Sequence, residues 1–199
     1  NRPPSLSPEA NAGPRHYCFH PTKDIVYFSN EQGCSVTAYD LDSSTGTLSA
    51  IQTVSTLPDD YDGTNTCAQI QISPSGRFLY APNRGHNTIA GFSVDSSTGT
   101  LKSIGHTPTE AVPRAFNLDP DGNFLYSAGL ESGRLASYRI VQKTGRLESL
   151  DVRPVGKERR DSQGFLHLVG GRAHEIGGVT HVSRVERGSV DGKVPYECH

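Results

Sequence analysis

Three segments of this chain follow one pattern, and that self-similarity narrows the possible folds more than any other feature. Phe19-His20-Pro21-Thr22-Lys23-Asp24-Ile25-Val26-Tyr27 is matched by Ile72-Ser73-Pro74-Ser75-Gly76-Arg77-Phe78-Leu79-Tyr80 and by Leu118-Asp119-Pro120-Asp121-Gly122-Asn123-Phe124-Leu125-Tyr126. The closing tyrosines are 53 and then 46 residues apart. A second marker keeps both intervals: Thr45-Gly46-Thr47-Leu48, Thr98-Gly99-Thr100-Leu101 and Thr144-Gly145-Arg146-Leu147. A third does so too, with Val36, Tyr39 and Leu41 matched by Ile89, Phe92 and Val94 and by Leu135, Tyr138 and Ile140. The longer first interval is accounted for by one polar loop, residues 58–65.

Each unit reads as four short strands. In the second, residues 68–72 form a strand and Pro74-Ser75-Gly76 turns the chain, because Pro presets φ and Gly accepts a positive one. Residues 78–81 and 88–94 follow as strands, with Phe92 and Val94 on one face by the period of two. Ser96-Ser97-Thr98-Gly99 turns again, and 101–107 is the last strand. No segment carries a helical apolar stripe. Units of this length with four strands are the mark of β-propeller blades, each of which needs neighbours to cover its faces. The expected fold is therefore all-β: a partial propeller of about three to four blades, spanning residues 1–156, with blades near 14–57, 66–107 and 113–153. A sandwich of duplicated hairpins is the competing arrangement. Propellers typically close with about four to eight blades, so further blades are expected outside this sequence, and its start without Met, at Asn1, agrees. The uncovered blade faces should promote self-association. Residues 157–199 read as a divergent or poorly defined tail.

Composition excludes several classes. The net charge of −2 gives no electrostatic reason to expect nucleic acid or an anionic membrane as partner. The cysteines, Cys18, Cys34, Cys67 and Cys198, form no CxxC pair, which argues against zinc-ribbon and thioredoxin chemistry. Scattered thiols suit a reducing compartment. No apolar run is long enough to span a bilayer as a helix. GxSxG, P-loop and GxGxxG motifs are absent. His16 and His20 would stand about 13 Å apart on a strand, too far to share a metal. His167, His174 and His181 lie in a Gly-rich stretch without helix signals, so no metal site is expected.

Chemistry should gather where the innermost strand of each blade meets the rim. The repeats align Pro14-Arg15 with Cys67-Ala68 and Pro113-Arg114. Alternation puts Arg15, Tyr17 and Phe19 on one face, so a guanidinium opens an otherwise apolar strand and needs a partner. It could bind a phosphate or carboxylate, or close an inter-blade salt bridge. Glu31 and Arg84 occupy equivalent positions, after Asn30 and Asn83, and should project from the same rim. One carboxylate beside two guanidiniums could act as a base for water near an oxyanion clamp, or equally as a blade-closing ion pair. Pairing would lower the Glu31 pKa and weaken it as a base.

Gly13-Pro14-Arg15-His16 with Phe19-His20-Pro21, Tyr27-Phe28-Ser29-Asn30-Glu31, Gly76-Arg77-Phe78-Leu79-Tyr80, Asn83-Arg84 and residues 108–119 resemble the seven-bladed lactonase family over about residues 3–156. That family includes propeller-type 6-phosphogluconolactonases and fungal carboxy-muconate cyclases. The resemblance implies a cytoplasmic hydrolase, monomeric at full length. It would open 6-phosphogluconolactone to 6-phosphogluconate in the pentose phosphate pathway, with water and without cofactor. It places the catalytic group on Arg15, Glu31 and Arg84, with His16, Asn83, Glu110 and Arg114 as substrate-binding candidates. A histidine that the family takes from an earlier blade has no counterpart here. A cyclase acting on carboxy-cis,cis-muconate and a non-catalytic binding scaffold are the other functions compatible with these residues.

Overall fold

The computed structural model describes residues 12–156, with the backbone of two further two-residue strands. Twelve strands make three four-stranded antiparallel sheets, each a meander in chain order. The first holds β1 (Pro14–Phe19), β2 (Ile25–Asn30), β3 (Ser35–Asp42) and β4 (Thr47–Ser55). The second holds β5 (Gln71–Ile72), β6 (Phe78–Asn83), β7 (Thr88–Val94) and β8 (Leu101–Pro108). The third holds β9 (Pro113–Leu118), β10 (Phe124–Gly129), β11 (Arg134–Ile140) and β12 (Leu147–Pro154). They are three blades of a β-propeller. Beyond them β13 (Arg159–Arg160) pairs with β14 (Leu166–His167). The rest of the tail, with the His174 and His181 spacing, lies outside the described residues.

Burial follows the stacking. Ile25, Tyr27, Val36 and Ala38 of blade 1 pack on Leu79, Ala81, Ala90, Phe92 and Leu101 of blade 2. The opposite face of blade 2, with Phe78, Tyr80 and Ile89, packs on Phe116, Leu125, Ala136, Tyr138 and Ile140. Strand β6 is accordingly buried at every position, whereas β10 is not. Each large side chain so covered contributes about 1.5–3 kcal/mol. On the other face of blade 1, Tyr17, Phe28 and Tyr39 form a row of contacting rings.

The repeat extends to backbone detail. The pairing of the third and fourth strands slips at Ala38/Tyr39, at Gly91/Phe92 and at Ser137/Tyr138, the same repeat position in each blade. Such bulges bend the outer strand and increase its twist. The glycines of the Thr-Gly turns, Gly99 and Gly145, both have φ near +71°. A Cβ there would also overlap Ile25 or Phe78 of the preceding blade, so these two turns need glycine for shape and for close approach.

One element is shorter than the sequence suggests. The expected strand over 68–72 reduces to Gln71–Ile72 and an isolated bridge between Cys67 and Asn83. Pro82 is the cause. Its carbonyl accepts the Ala68 N–H at 3.3 Å, but it has no N–H to return.

Candidate functional site

Arg15 is the unpaired residue of a bulge, because Pro14 pairs with Asn30 and His16 with Ser29. Bulges re-aim side chains, and strict alternation with Tyr17 and Phe19 fails here. The guanidinium turns to Glu31, while Tyr17 and Phe19 are 59% and 55% exposed rather than parts of a covered apolar face. Arg114 occupies the matching bulge of blade 3, where Ala115 pairs with Ala128 and Pro113 with Gly129.

Glu31 leaves the end of β2 with its backbone fixed on both sides. Its N–H donates to the Gly13 carbonyl at 2.7 Å, and its carbonyl accepts the Cys67 N–H of blade 2 at 3.0 Å. Arg84 leaves the end of β6, and its N–H donates to the Thr66 carbonyl at 2.9 Å. These anchors bring three charges together across the first blade interface. Arg15 Nη1 donates to Glu31 Oε1 at 2.8 Å, Arg84 Nη2 donates to the same oxygen, and Arg84 Nη2 also donates to the Cys67 carbonyl at 3.1 Å. The three side chains are 24% (Arg15), 25% (Glu31) and 18% (Arg84) exposed. The cluster is thus both a rim constellation and an ion pair between adjacent blades.

Burial alone would raise the Glu31 pKa, but the Arg84 hydrogen bond and the Arg15 charge outweigh it and hold the carboxyl below its usual value. Both hydrogen bonds fall on Oε1; no described residue donates to Oε2. His16 follows Arg15 on β1, beside the group. Burial and the neighbouring Arg15 charge lower its pKa, so the ring is neutral near pH 7. His16 Nδ1 and Arg84 Nε are buried without hydrogen-bond partners. Buried polar atoms are rarely left so, and two at one cluster mark a place where a polar ligand or water would be held.

The other candidates divide. Asn83 is fully buried, and its amide is spent inside the protein. Oδ1 accepts from Thr56 Oγ1 at 2.8 Å and Asn65 Nδ2 at 3.0 Å, while Nδ2 donates to the Thr56 carbonyl at 2.6 Å and Thr88 Oγ1 at 3.3 Å. It has nothing left for substrate, which corrects its reading as a binding residue. Asn30, at the same repeat position, braces its hairpin through Ser35 Oγ and Thr37 Oγ1, both at 2.9 Å. Glu110, on the connection between β8 and β9, faces Arg134 of blade 3 at 3.9 Å, and Arg114 is exposed. Neither makes an ion pair with the cluster. His20 is engaged locally, Nδ1 accepting the Thr22 N–H at 3.2 Å.

Sequence reasoning missed Asn65, in the polar loop treated only as an explanation for spacing. Its Oδ1 accepts the N–H groups of Gly85 and His86 at 2.8 and 3.1 Å, which shapes the turn just after Arg84. From the same loop, Tyr61 stacks edge-on against His86, 4.5 Å between centroids. The longer first repeat was the available signal. A cleft lined by Ile104, His106 and Gly145 sits between the outer strands of blades 2 and 3 and includes none of the cluster.

Comparison with known proteins agrees with this architecture. The family described as "Lactonase, 7-bladed beta-propeller" matches residues 1–159. A 6-phosphogluconolactonase of Pectobacterium carotovorum is 40% identical over 119 residues, which cover 60% of this chain and 36% of that protein. The chain therefore spans about a third of the length of such relatives. A crystal structure of a Lactobacillus plantarum protein superposes with a TM-score of 0.71 at 34% identity, covering 74% of this chain and 43% of the other. The Pseudomonas aeruginosa periplasmic gluconolactonase PpgL gives 0.70 at 27% identity, covering 74% and 41%.

Proposed function

The chain belongs to the seven-bladed β-propeller lactonase family, and from that premise we propose that it supplies part of the active site of an enzyme hydrolysing 6-phosphogluconolactone to 6-phosphogluconate. The observation that carries this reading is the convergence of Arg15, Glu31 and Arg84 with Glu31 Oε2 left unengaged. A carboxylate held ionised by two guanidiniums is a poor general base in isolation but a well-fixed acceptor for one water proton. Oε2 aims that water at the lactone carbonyl. As the water oxygen bonds to the carbonyl carbon, negative charge grows on the carbonyl oxygen. The guanidiniums, already positioned, stabilise that charge without reorganising. Collapse breaks the ring C–O bond, and the proton from water ends on the released hydroxyl. Arg15, with Nε and Nη2 uncommitted, and the neutral His16 ring are the groups offered to the anionic portions of the substrate.

Three free thiols, Cys18, Cys34 and Cys67, support a reducing compartment such as the cytoplasm, and among the described residues no helix is long and apolar enough to cross a membrane.

The test is turnover of 6-phosphogluconolactone by the protein carrying these blades, with and without Glu31→Gln. Loss of about a hundredfold or more in kcat, in a variant that is still folded at the assay temperature, supports the assignment. Wild-type turnover in the variant removes Glu31 from the mechanism.

A further inference from the structure

One side chain joins the outer strands of blades 1 and 2. Gln52, on β4, holds both backbone groups of Leu101 on β8. Its Oε1 accepts the Leu101 N–H at 2.7 Å, and its Nε2 donates to the Leu101 carbonyl at 3.2 Å. A carboxamide suits this edge because it sets an acceptor and a donor side by side, opposite the N–H and C=O of a single residue.

The next interface repeats the edge and omits the side chain. Leu147 of β12 corresponds to Leu101. It pairs with Ile140 as Leu101 pairs with Val94, so its N–H and C=O turn toward blade 2 in the same way. The position of Gln52 is taken by Gly105. Each stands one residue beyond the bulge of its fourth strand, Gln52 opposite Ala38 and Gly105 opposite Gly91. A Cβ on Gly105 would meet nothing within 4 Å, and its φ of +112° is one that side chains rarely adopt. The result is a cleft of about 270 Å³ walled by Tyr80, Ile89, Ile104 and Leu147, with Gly105 in its lining. Two polar groups of that lining are already engaged: the Tyr80 hydroxyl with the Gly145 carbonyl at 2.7 Å, and His106 Nε2 with the Thr56 carbonyl at 2.9 Å. The volume lies just under the roughly 300–1,000 Å³ of sites for drug-sized ligands, which suits a molecule of one ring.

We propose that this cleft binds a small primary carboxamide with an apolar body. The amide takes the place that Gln52 holds one blade earlier. Its carbonyl oxygen accepts from the Leu147 N–H, and its NH2 donates to the Leu147 carbonyl. The body lies against Ile89, Ile104 and the Tyr80 ring, where its burial adds the non-directional part of the affinity. A carboxylate would set an acceptor against the Leu147 carbonyl, and a tertiary amide has no N–H to give it. At the first interface Gln52 already fills the equivalent place. None of Arg15, Glu31 and Arg84 lines the cleft, so the site does not rest on the lactonase reading.

Benzamide is the probe, titrated into the isotope-labelled whole chain and followed by NMR of the backbone amides. The Leu147 and Gly105 signals should move saturably, and the Leu101 signal should not. N,N-Dimethylbenzamide keeps the ring and the carbonyl but has no N–H, and it should bind about fivefold more weakly, the loss of one hydrogen bond. Gln52→Ala should open the matching place at the first interface and make the Leu101 amide respond to benzamide. A Leu147 signal unmoved up to the solubility limit of benzamide would overturn the proposal. So would equal affinity for N,N-dimethylbenzamide, or tighter binding of benzoate, which would mark the exposed Arg146 as an anion site instead. A folded Gln52→Ala protein whose Leu101 amide stays unresponsive would do so too, because the two edges would then not be equivalent. If that variant does not fold, the titrations of the unaltered chain decide alone.

Discussion

The Tyr80 hydroxyl donates to the Gly145 carbonyl at 2.7 Å, joining the second strand of blade 2 to the Thr-Gly turn of blade 3. Tyr27 makes the same bond to Gly99 at 2.8 Å, one blade earlier. The repeated tyrosine and the repeated glycine are therefore two halves of one blade-to-blade fastening. Tyr126, the third tyrosine, is 40% exposed. Removing the Tyr80 hydroxyl leaves a buried carbonyl without its donor, which costs about 1–3 kcal/mol. Tyr80→Phe should lower the urea midpoint accordingly and Tyr126→Phe should barely move it. Equal effects would contradict the fastening.

Asn83→Ala tests the correction to that residue's role. Truncation takes one partner from each of the Thr56 and Thr88 hydroxyls, the Thr56 carbonyl and the Asn65 amide at the first interface. Breaking a buried network of this kind costs about 2–4 kcal/mol. Denaturant unfolding should show the loss, and it should exceed that of Asn30→Ala, whose amide donates only to Ser35 and Thr37.

Glu31 makes stability depend on acid. Its folded pKa lies below the ordinary 4.5 because Arg84 and Arg15 hold the ionised form against the opposing effect of burial. The associated stability is fully present above the unfolded pKa and disappears as pH falls through the folded one. Unfolding curves of wild type and Glu31→Gln should differ at neutral pH and converge on the acid side of pH 4.5.

His16 supplies a spectroscopic check on the same cluster. Burial and Arg15 both favour its neutral ring, so its NMR titration midpoint should fall below 6.5. Arg15→Gln should raise that midpoint only part of the way, because burial, the larger cause, remains. A full return to the ordinary value would mean the ring is open to water.

Much of this was readable in advance because the chain repeats itself. The matched Tyr27/Tyr80/Tyr126 and Gly46/Gly99/Gly145 positions gave the three sheets, and the equivalence of Glu31 with Arg84 put both on one rim. What escaped depended on partners in other blades or on the backbone. Alternation along β1 broke at Arg15, since a bulge leaves no mark in side-chain type. Strand β5 was overextended because the missing N–H of Pro82 matters only once Pro82 is known to face it. Asn83 resembled a ligand-binding residue because an amide at a rim reads the same whether it meets substrate or Thr56.

Titrating 6-phosphogluconate into the chain by calorimetry, alongside Arg15→Gln, Arg84→Gln and Arg114→Gln, asks whether the cluster is an anion site or only a clasp between blades. Hydrogen bonds to a charged ligand are worth about 1.5–3 kcal/mol, so Arg15→Gln and Arg84→Gln should each weaken binding by about tenfold or more, while Arg114→Gln changes it far less. Unchanged affinity in both cluster variants, with reduced stability alone, would show that Arg15, Glu31 and Arg84 hold two blades together and do not touch substrate.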